Sequence, residues 1–331
     1  MLAVLVAAAV ALAPAAPADD LDGLEYVALG DSYAAGLGLD PVAGDQPAAA
    51  CFQSAGNYPH RVAEALSLDL DDRTCSGAVT ADIRDRSQSG APPQSDTLSA
   101  DTDVVTVTIG GNDLGFGAIA TGCLSLGARG PAVAHREYGT CRAYYTRERG
   151  LDELLTRVQQ TVFPDVERTF AQIREQAPNA TVFVVGYPGI APSPERTPAD
   201  CFSSPIGAGG LRPDAFPYQA LDVVYLHQVE QQLDTALRRA ADGAGFEFVP
   251  VWAASQSHAA CSEQPFVSGI TLTTDPAQGS AIGVDGAYLT RGALHPNEHG
   301  VAFLAQQVSL AIRAELDADD PVQRVLRTVR R

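Results

Sequence analysis

Ser32 stands in Leu29-Gly30-Asp31-Ser32-Tyr33, directly after a short apolar run. A glycine there permits a sharp turn, and a hydroxyl at a strand exit faces the cleft where an acyl-transfer nucleophile is needed. The same position also suits Ser32 or Asp31 as a helix cap. Gly110-Gly111-Asn112-Asp113 follows a second apolar run. Asn112 can donate its side-chain amide to a developing oxyanion, although Gly-Asn-Asp is equally the composition of a turn. Cys75-Ser76-Gly77-Ala78 offers a third feature, a bare glycine amide that can approach a substrate oxygen closely. Leu294-His295-Pro296-Asn297-Glu298-His299-Gly300 is the fourth. Pro296 fits the first position of a helix, which places His295 at the entrance. The positive helix end disfavours imidazolium and keeps His295 neutral as a base. A hydroxyl, a neutral imidazole and several N–H donors are the parts of serine acyl transfer.

These residues need a scaffold that brings distant loops together. Near-continuous apolar runs at Tyr26–Leu29, Asp103–Ile109, Thr181–Tyr187 and Phe246–Val251 predict buried strands, with a weaker one near Leu68–Arg73. Helical spacing is expected over Pro59–Leu66, Leu151–Gln176, Pro217–Ala241 and from Pro296 to about Leu316. Alternating strands and helices imply a doubly wound α/β fold, whose active sites lie in loops beyond the strand carboxyl ends. The long irregular stretches Asp40–Tyr58, Gly111–Gly150 and Gly189–Pro217 follow strands and carry cysteines. They read as disulfide-braced active-site loops.

The chain has 331 residues, 46 % of them hydrophobic and 19 % charged, which suits a globular protein with a real core. No repeat or linker divides it. The apolar run from Met1, ending at Ala16-Pro17-Ala18, has the layout of a signal peptide over residues 1–18, without a basic opening. Residues 19–331 read as a single domain, with a charged, loosely held tail from Asp317 to Arg331. Six cysteines, Cys51, Cys75, Cys123, Cys141, Cys201 and Cys261, none in a Cys-x-x-Cys pair, favour disulfides in an exported protein over a metal site. Their number leaves the pairing open. His60, His135, His227 and His258 are scattered without metal-ligand spacing. His299 reads as exposed or supporting, and Trp252 as either cleft lining or core. The net charge is −18, every cation is an arginine, and such a surface argues against nucleic acid or anionic membranes as partners.

The order Gly-Asp-Ser, Gly, Gly-x-Asn-Asp and His-Pro-Asn, each at a strand end, resembles the SGNH (GDSL) hydrolase superfamily over nearly all of the chain after the leader. The first and third of these blocks are specific and the lone glycine much less so. The spaced cysteines and long loops look most like the secreted actinomycete-type lipases and esterases of that family. The resemblance implies a three-layer α/β/α, flavodoxin-like fold with a mostly parallel sheet of about five strands. It implies Ser32 as nucleophile, His295 as base, and the Ser32 amide, the Gly77 amide and the Asn112 side chain as the oxyanion hole. It also implies the pairs Cys51–Cys75, Cys123–Cys141 and Cys201–Cys261. The expected protein is a secreted, monomeric ester hydrolase acting on a small-molecule or lipid ester, without cofactor, metal or stable membrane insertion. An extracellular carbohydrate O-deacetylase would use the same machinery, and an inactive binding protein would keep the fold. In one respect the sequence departs from the family. Position 292, where an acid commonly orients the histidine, is glycine. A backbone carbonyl from residues 291–293 is expected in its place, giving a Ser–His dyad.

Overall fold

The structure is a computed structural model that describes residues 21–316 apart from 199 and 283–284. The expected leader and the tail from Asp317 lie outside the described residues. Five strands form the central sheet: β1 (Glu25–Gly30), β2 (Asp69–Asp72), β3 (Val104–Thr108), β4 (Thr181–Val185) and β5 (Glu247–Val249). They lie in the order β2-β1-β3-β4-β5 and every neighbouring pair is parallel. That is the flavodoxin-like order expected, with the chain reversing direction across the sheet between β1 and β3.

Alternation along each strand sorts the side chains onto two faces. Val27, Leu29, Val105, Val107, Val182 and Val184 pack into one core with Val166 and Phe170 of the helix Phe163–Gln176 and Leu233 and Leu237 of the helix Ala220–Ala244. Tyr26, Ala28, Val104, Phe183 and Val185 pack into the other. There they meet Val62 and Leu66 of α2 (Tyr58–Leu66) and Leu304 and Val308 of the helix Glu298–Leu316. Burial on both faces explains why these strands read as apolar runs. The edges differ: β2 reads Asp-Leu-Asp-Asp with only β1 as partner, and β5, paired only with β4, exposes Glu247.

Element boundaries differ from expectation where proline and capping intervene. The run expected over Leu151–Gln176 is a helix at Glu153–Arg157, a π-helical turn at Val158–Val162, then Phe163–Gln176. Pro164 has no N–H to give the carbonyl one turn back, and the wider turn before it accommodates that loss. The last helix begins at Glu298, not at Pro296. Asn297 caps it, its Oδ1 accepting from the Gly300 amide at 3.0 Å.

The disulfides join Cys51 to Cys75, Cys123 to Cys141 and Cys201 to Cys261. The first ties the loop before α2 to the loop after β2, and the third ties the loops that follow β4 and β5. Each bond therefore braces chain at the carboxyl edge of the sheet. Among the described residues no helix is long and apolar enough to cross a membrane.

Candidate active site

β1 ends in a turn that only glycine can make. Gly30 has φ +149°, and a Cβ there would lie 2.6 Å from the Thr108 carbonyl oxygen of β3. The Gln94 side chain grips both sides of this residue, accepting from the Gly30 amide at 2.7 Å and donating to its carbonyl at 3.0 Å. Asp31 then caps the short helix α1 (Ser32–Ala35), its Oδ1 accepting from the Tyr33 amide. The capping role, open to either residue in the sequence, thus falls to Asp31. Asp31 holds the helix end and Ser32 is left free on its first turn.

His295 arrives from the other end of the chain. Its Nε2 lies 2.7 Å from Ser32 Oγ and its Nδ1 lies 2.8 Å from the Ala293 carbonyl oxygen. A carbonyl can only accept, so Nδ1 carries the proton and Nε2 is the acceptor for the serine hydroxyl. The ring is fixed from several directions. Tyr33 packs against it at 4.8 Å between centroids, and Phe116 meets it edge-on at 5.5 Å. The Tyr33 hydroxyl donates to the Leu294 carbonyl at 2.7 Å. Glu298, the nearest acid in sequence, is paired with Arg61 instead.

The glycine at 292 has a steric cause. Gly292 has φ +83°, and a Cβ on it would stand 2.8 Å from the Cα of Gly38. Two backbones cross there, and no aspartate side chain can leave that position. The carbonyl of Ala293 takes over the orienting bond.

The remaining donors assemble from the next two loops. Asn112 belongs to α4 (Gly111–Leu114), and its Nδ2 donates to the Ala78 carbonyl at 2.9 Å, one residue from Gly77. Asp113 accepts from both the amide and the hydroxyl of Thr80, the hydroxyl at 2.6 Å, which locks the Gly77 loop to α4. Among the described residues neither the Ser32 nor the Gly77 amide has a backbone acceptor. Both remain available to a substrate oxygen. Ser32 and Asn112 line one partly open cavity. Its lining includes Leu114, Phe116, Ile119, Phe216, Leu226, Leu233 and Trp252. Glu230 is a half-buried member of this lining, accepting from the Ile190 and Ala191 amides and from the Trp252 indole. Burial pushes its carboxyl up to about 7 against those bonds.

The sequence profile of the GDSL-like lipase/acylhydrolase family matches residues 28–303. The chain belongs to this family. It is 34 % identical over 284 residues to a protein named lipase 2 from Streptomyces coelicolor, an alignment covering 82 % of this chain and 86 % of that one. An esterase from Streptomyces scabiei is 30 % identical over 318 residues, covering 90 % of this chain and 87 % of its own. Among solved structures, phospholipase A1 from Streptomyces albidoflavus superposes with a TM-score of 0.60 at 24 % identity, covering 87 % of this chain and 98 % of that one. These relatives make the chain a carboxylic ester hydrolase of the GDSL-like family.

Within this GDSL-family site, sequence reasoning misplaced one cause and missed several partners. His295 lies ahead of the helix cap, so its neutrality comes from burial rather than from a helix end. Burial lowers its pKa to about 4, and the Ala293 carbonyl opposes that shift. Tyr33, Gln94, Asp113 and Tyr187 carry no catalytic signature in sequence. Of these, Tyr33 and Asp113 adjoin the Ser32 and Asn112 blocks, whereas Gln94 and Tyr187 lie in neither. His60, His135, His227 and His258 have local partners: Asn57, a stacked Tyr144, the Ala191 carbonyl and a stacked Phe266. His299 is exposed.

One prediction follows from the base. In the base role proposed below, His295 must be neutral to accept the Ser32 proton, so activity is expected to fall as pH drops through its pKa in the free enzyme. With that pKa at about 4, the acid limb of kcat/KM on a soluble short-chain ester is expected near there. A pH–rate profile with its acid limb at the ordinary imidazole value of 6.5 would show that water reaches the ring and that burial does not set its charge.

Proposed function

We propose that this hydrolase is a secreted serine lipase or esterase for esters of apolar acyl chains, working through Ser32 and His295. The observation that carries the reading is the 2.7 Å contact between Ser32 Oγ and His295 Nε2 beside an apolar cavity. In the first step His295 takes the Ser32 proton as Oγ attacks the ester carbonyl. The oxyanion is met by the Ser32 and Gly77 amides and the Asn112 side chain. The imidazolium then protonates the leaving alcohol. Water, deprotonated by the same ring, releases the acid from Ser32. The Ala293 carbonyl holds the Nδ1 proton throughout, orienting the ring without a carboxylate.

Secretion is supported by the paired cysteines, which persist in oxidising compartments. A solved relative at 23 % identity, with a TM-score of 0.56, is described as an extracellular lipase from Streptomyces rimosus. The reading takes residues 19–331 as one catalytic domain.

The apolar lining of the cavity favours lipid-like acyl groups over acetyl groups. A series of p-nitrophenyl esters from acetate through octanoate to laurate tests this. Each methylene seated in an apolar pocket is worth about 0.8 kcal/mol, so kcat/KM should rise by up to about fourfold per methylene until the chain outgrows the cavity. A flat or falling series, together with release of acetate from an acetylated xylan, would favour the carbohydrate deacetylase instead.

A further inference from the structure

The Ser32 turn and the Asn112 turn leave different strands, yet the oxyanion chemistry requires them to hold a fixed separation. What joins them is a side chain from a third strand end. β4 ends at Val185, so Tyr187, which the apolar pattern placed inside the strand, lies beyond it and turns toward β1. Its hydroxyl oxygen accepts from the Gly111 amide at 2.9 Å, and its proton goes to Asp31 Oδ2 at 2.6 Å.

Each end of this bridge fills a specific vacancy. α4 begins after Gly110, which has no side chain and gives the helix no cap bond. The first N–H of α4 is therefore an orphan donor, and the Tyr187 hydroxyl takes it. At the other end Asp31 already caps α1 through Oδ1, leaving Oδ2 for the phenol. One hydroxyl and one carboxylate thus tie together the amino ends of the two helices that carry Ser32 and Asn112. The fit is close: a Cβ at Gly111 would lie 3.1 Å from the Tyr187 ring. The ring is itself held edge-on by Tyr33 at 5.0 Å. Burial raises the Asp31 carboxyl to about 7 while the Tyr187 and Tyr33 bonds pull it down, and burial holds the phenol well above its ordinary value. The phenol therefore stays a donor, and the 2.6 Å contact has the length of a charge-assisted bond to a carboxylate.

We propose that Tyr187 is a positioning residue for ester hydrolysis, its hydroxyl holding the Asn112 turn in register with the Ser32 turn. The inference rests on the assignment of Ser32 and Asn112 made above. Tyr187 does no bond-making itself. Its contribution is the alignment of the Asn112 donor with the oxyanion that forms at Ser32, an alignment that matters more in the transition state than in the bound ester.

Tyr187→Phe removes the hydroxyl and keeps the ring that packs against Tyr33. On a soluble short-chain ester it should lower kcat by about tenfold to a hundredfold, the scale of a small misplacement of a catalytic group, with KM within about twofold of wild type. In an Asn112→Ala background the same substitution should cost less than about twofold, because the group it positions is already gone. Thermal melts of all the variants check that the fold is retained. Gly111→Ala, whose methyl pushes against the ring with the hydroxyl intact, should reproduce the loss in kcat. An unchanged kcat in folded Tyr187→Phe overturns the proposal. So does an equal fold-loss in both backgrounds, which would mean that Tyr187 acts independently of Asn112. Fluorophosphonate labelling of wild type is run alongside. Its failure would strike the Ser32 assignment itself, an outcome distinct from labelling that proceeds while the Tyr187 variants behave as wild type.

Discussion

Ser32→Ala and His295→Ala are each expected to lower kcat by about 10⁶, and the double variant to fall no further. The Oγ–Nε2 contact is the reason: in the proposed mechanism the two side chains act in one proton-coupled attack, so losing either abolishes it. Non-additivity is the informative part. Independent groups would multiply their losses, whereas a dyad loses everything once. The residual activity of all three variants should be alike, because the amides and Asn112 still bind the oxyanion of a water attack. A fluorophosphonate probe gives a second measurement. It should label wild type, fail on Ser32→Ala, and react far more slowly with His295→Ala. Retention of more than about a hundredth of wild-type kcat in His295→Ala would require another base, because even general-base catalysis taken without activation of the nucleophile contributes at least about 10². Glu298 is held by Arg61, and Ala293 presents only a carbonyl, so neither is placed to substitute.

The sequence revealed the parts of this site that are carried by local chemistry. Val104–Thr108 and Thr181–Val185 are buried on both faces, so their apolar character shows in any short window. Ser32 and Asn112 follow glycine-containing turns and His295 directly precedes Pro296, compositions that are themselves a signal. The weaker reading of β2 also has a cause, because an edge strand of Asp-Leu-Asp-Asp carries no apolar run. The contacts between loops left no such trace. Tyr187 reads as the end of an apolar strand, and its role depends on Asp31, 156 residues away. Gln94 grips Gly30 across 64 residues from a short polar stretch without any motif. The cavity walls come from Phe116, Phe216 and Leu226, which in sequence are ordinary core residues. Position 292 is instructive in the other direction. Its glycine reads as a missing acid, but the tight crossing with Gly38 shows a backbone built so that the Ala293 carbonyl reaches His295.

Asn112→Ala should reduce kcat by about 10²–10³ while leaving KM for a short ester nearly unchanged. The Asn112 amide has two protons, and one of them is committed to the Ala78 carbonyl at 2.9 Å. That bond fixes the plane of the amide, leaving the second proton for the oxyanion role proposed for Asn112. The ester carbonyl in the ground state bears little charge, so this donor contributes little to binding. Its effect appears as the oxygen becomes an oxyanion, in a pocket where apolar walls exclude competing water. The stability cost of the substitution should be small by comparison, about 1 kcal/mol for one lost hydrogen bond to a loop carbonyl. The split between a large loss in turnover and a modest shift in melting temperature therefore separates an oxyanion donor from a loop brace. If kcat were unchanged and only the melting temperature fell, Asn112 would be a brace for the Gly77 loop, and the oxyanion would rest on the Ser32 and Gly77 amides alone.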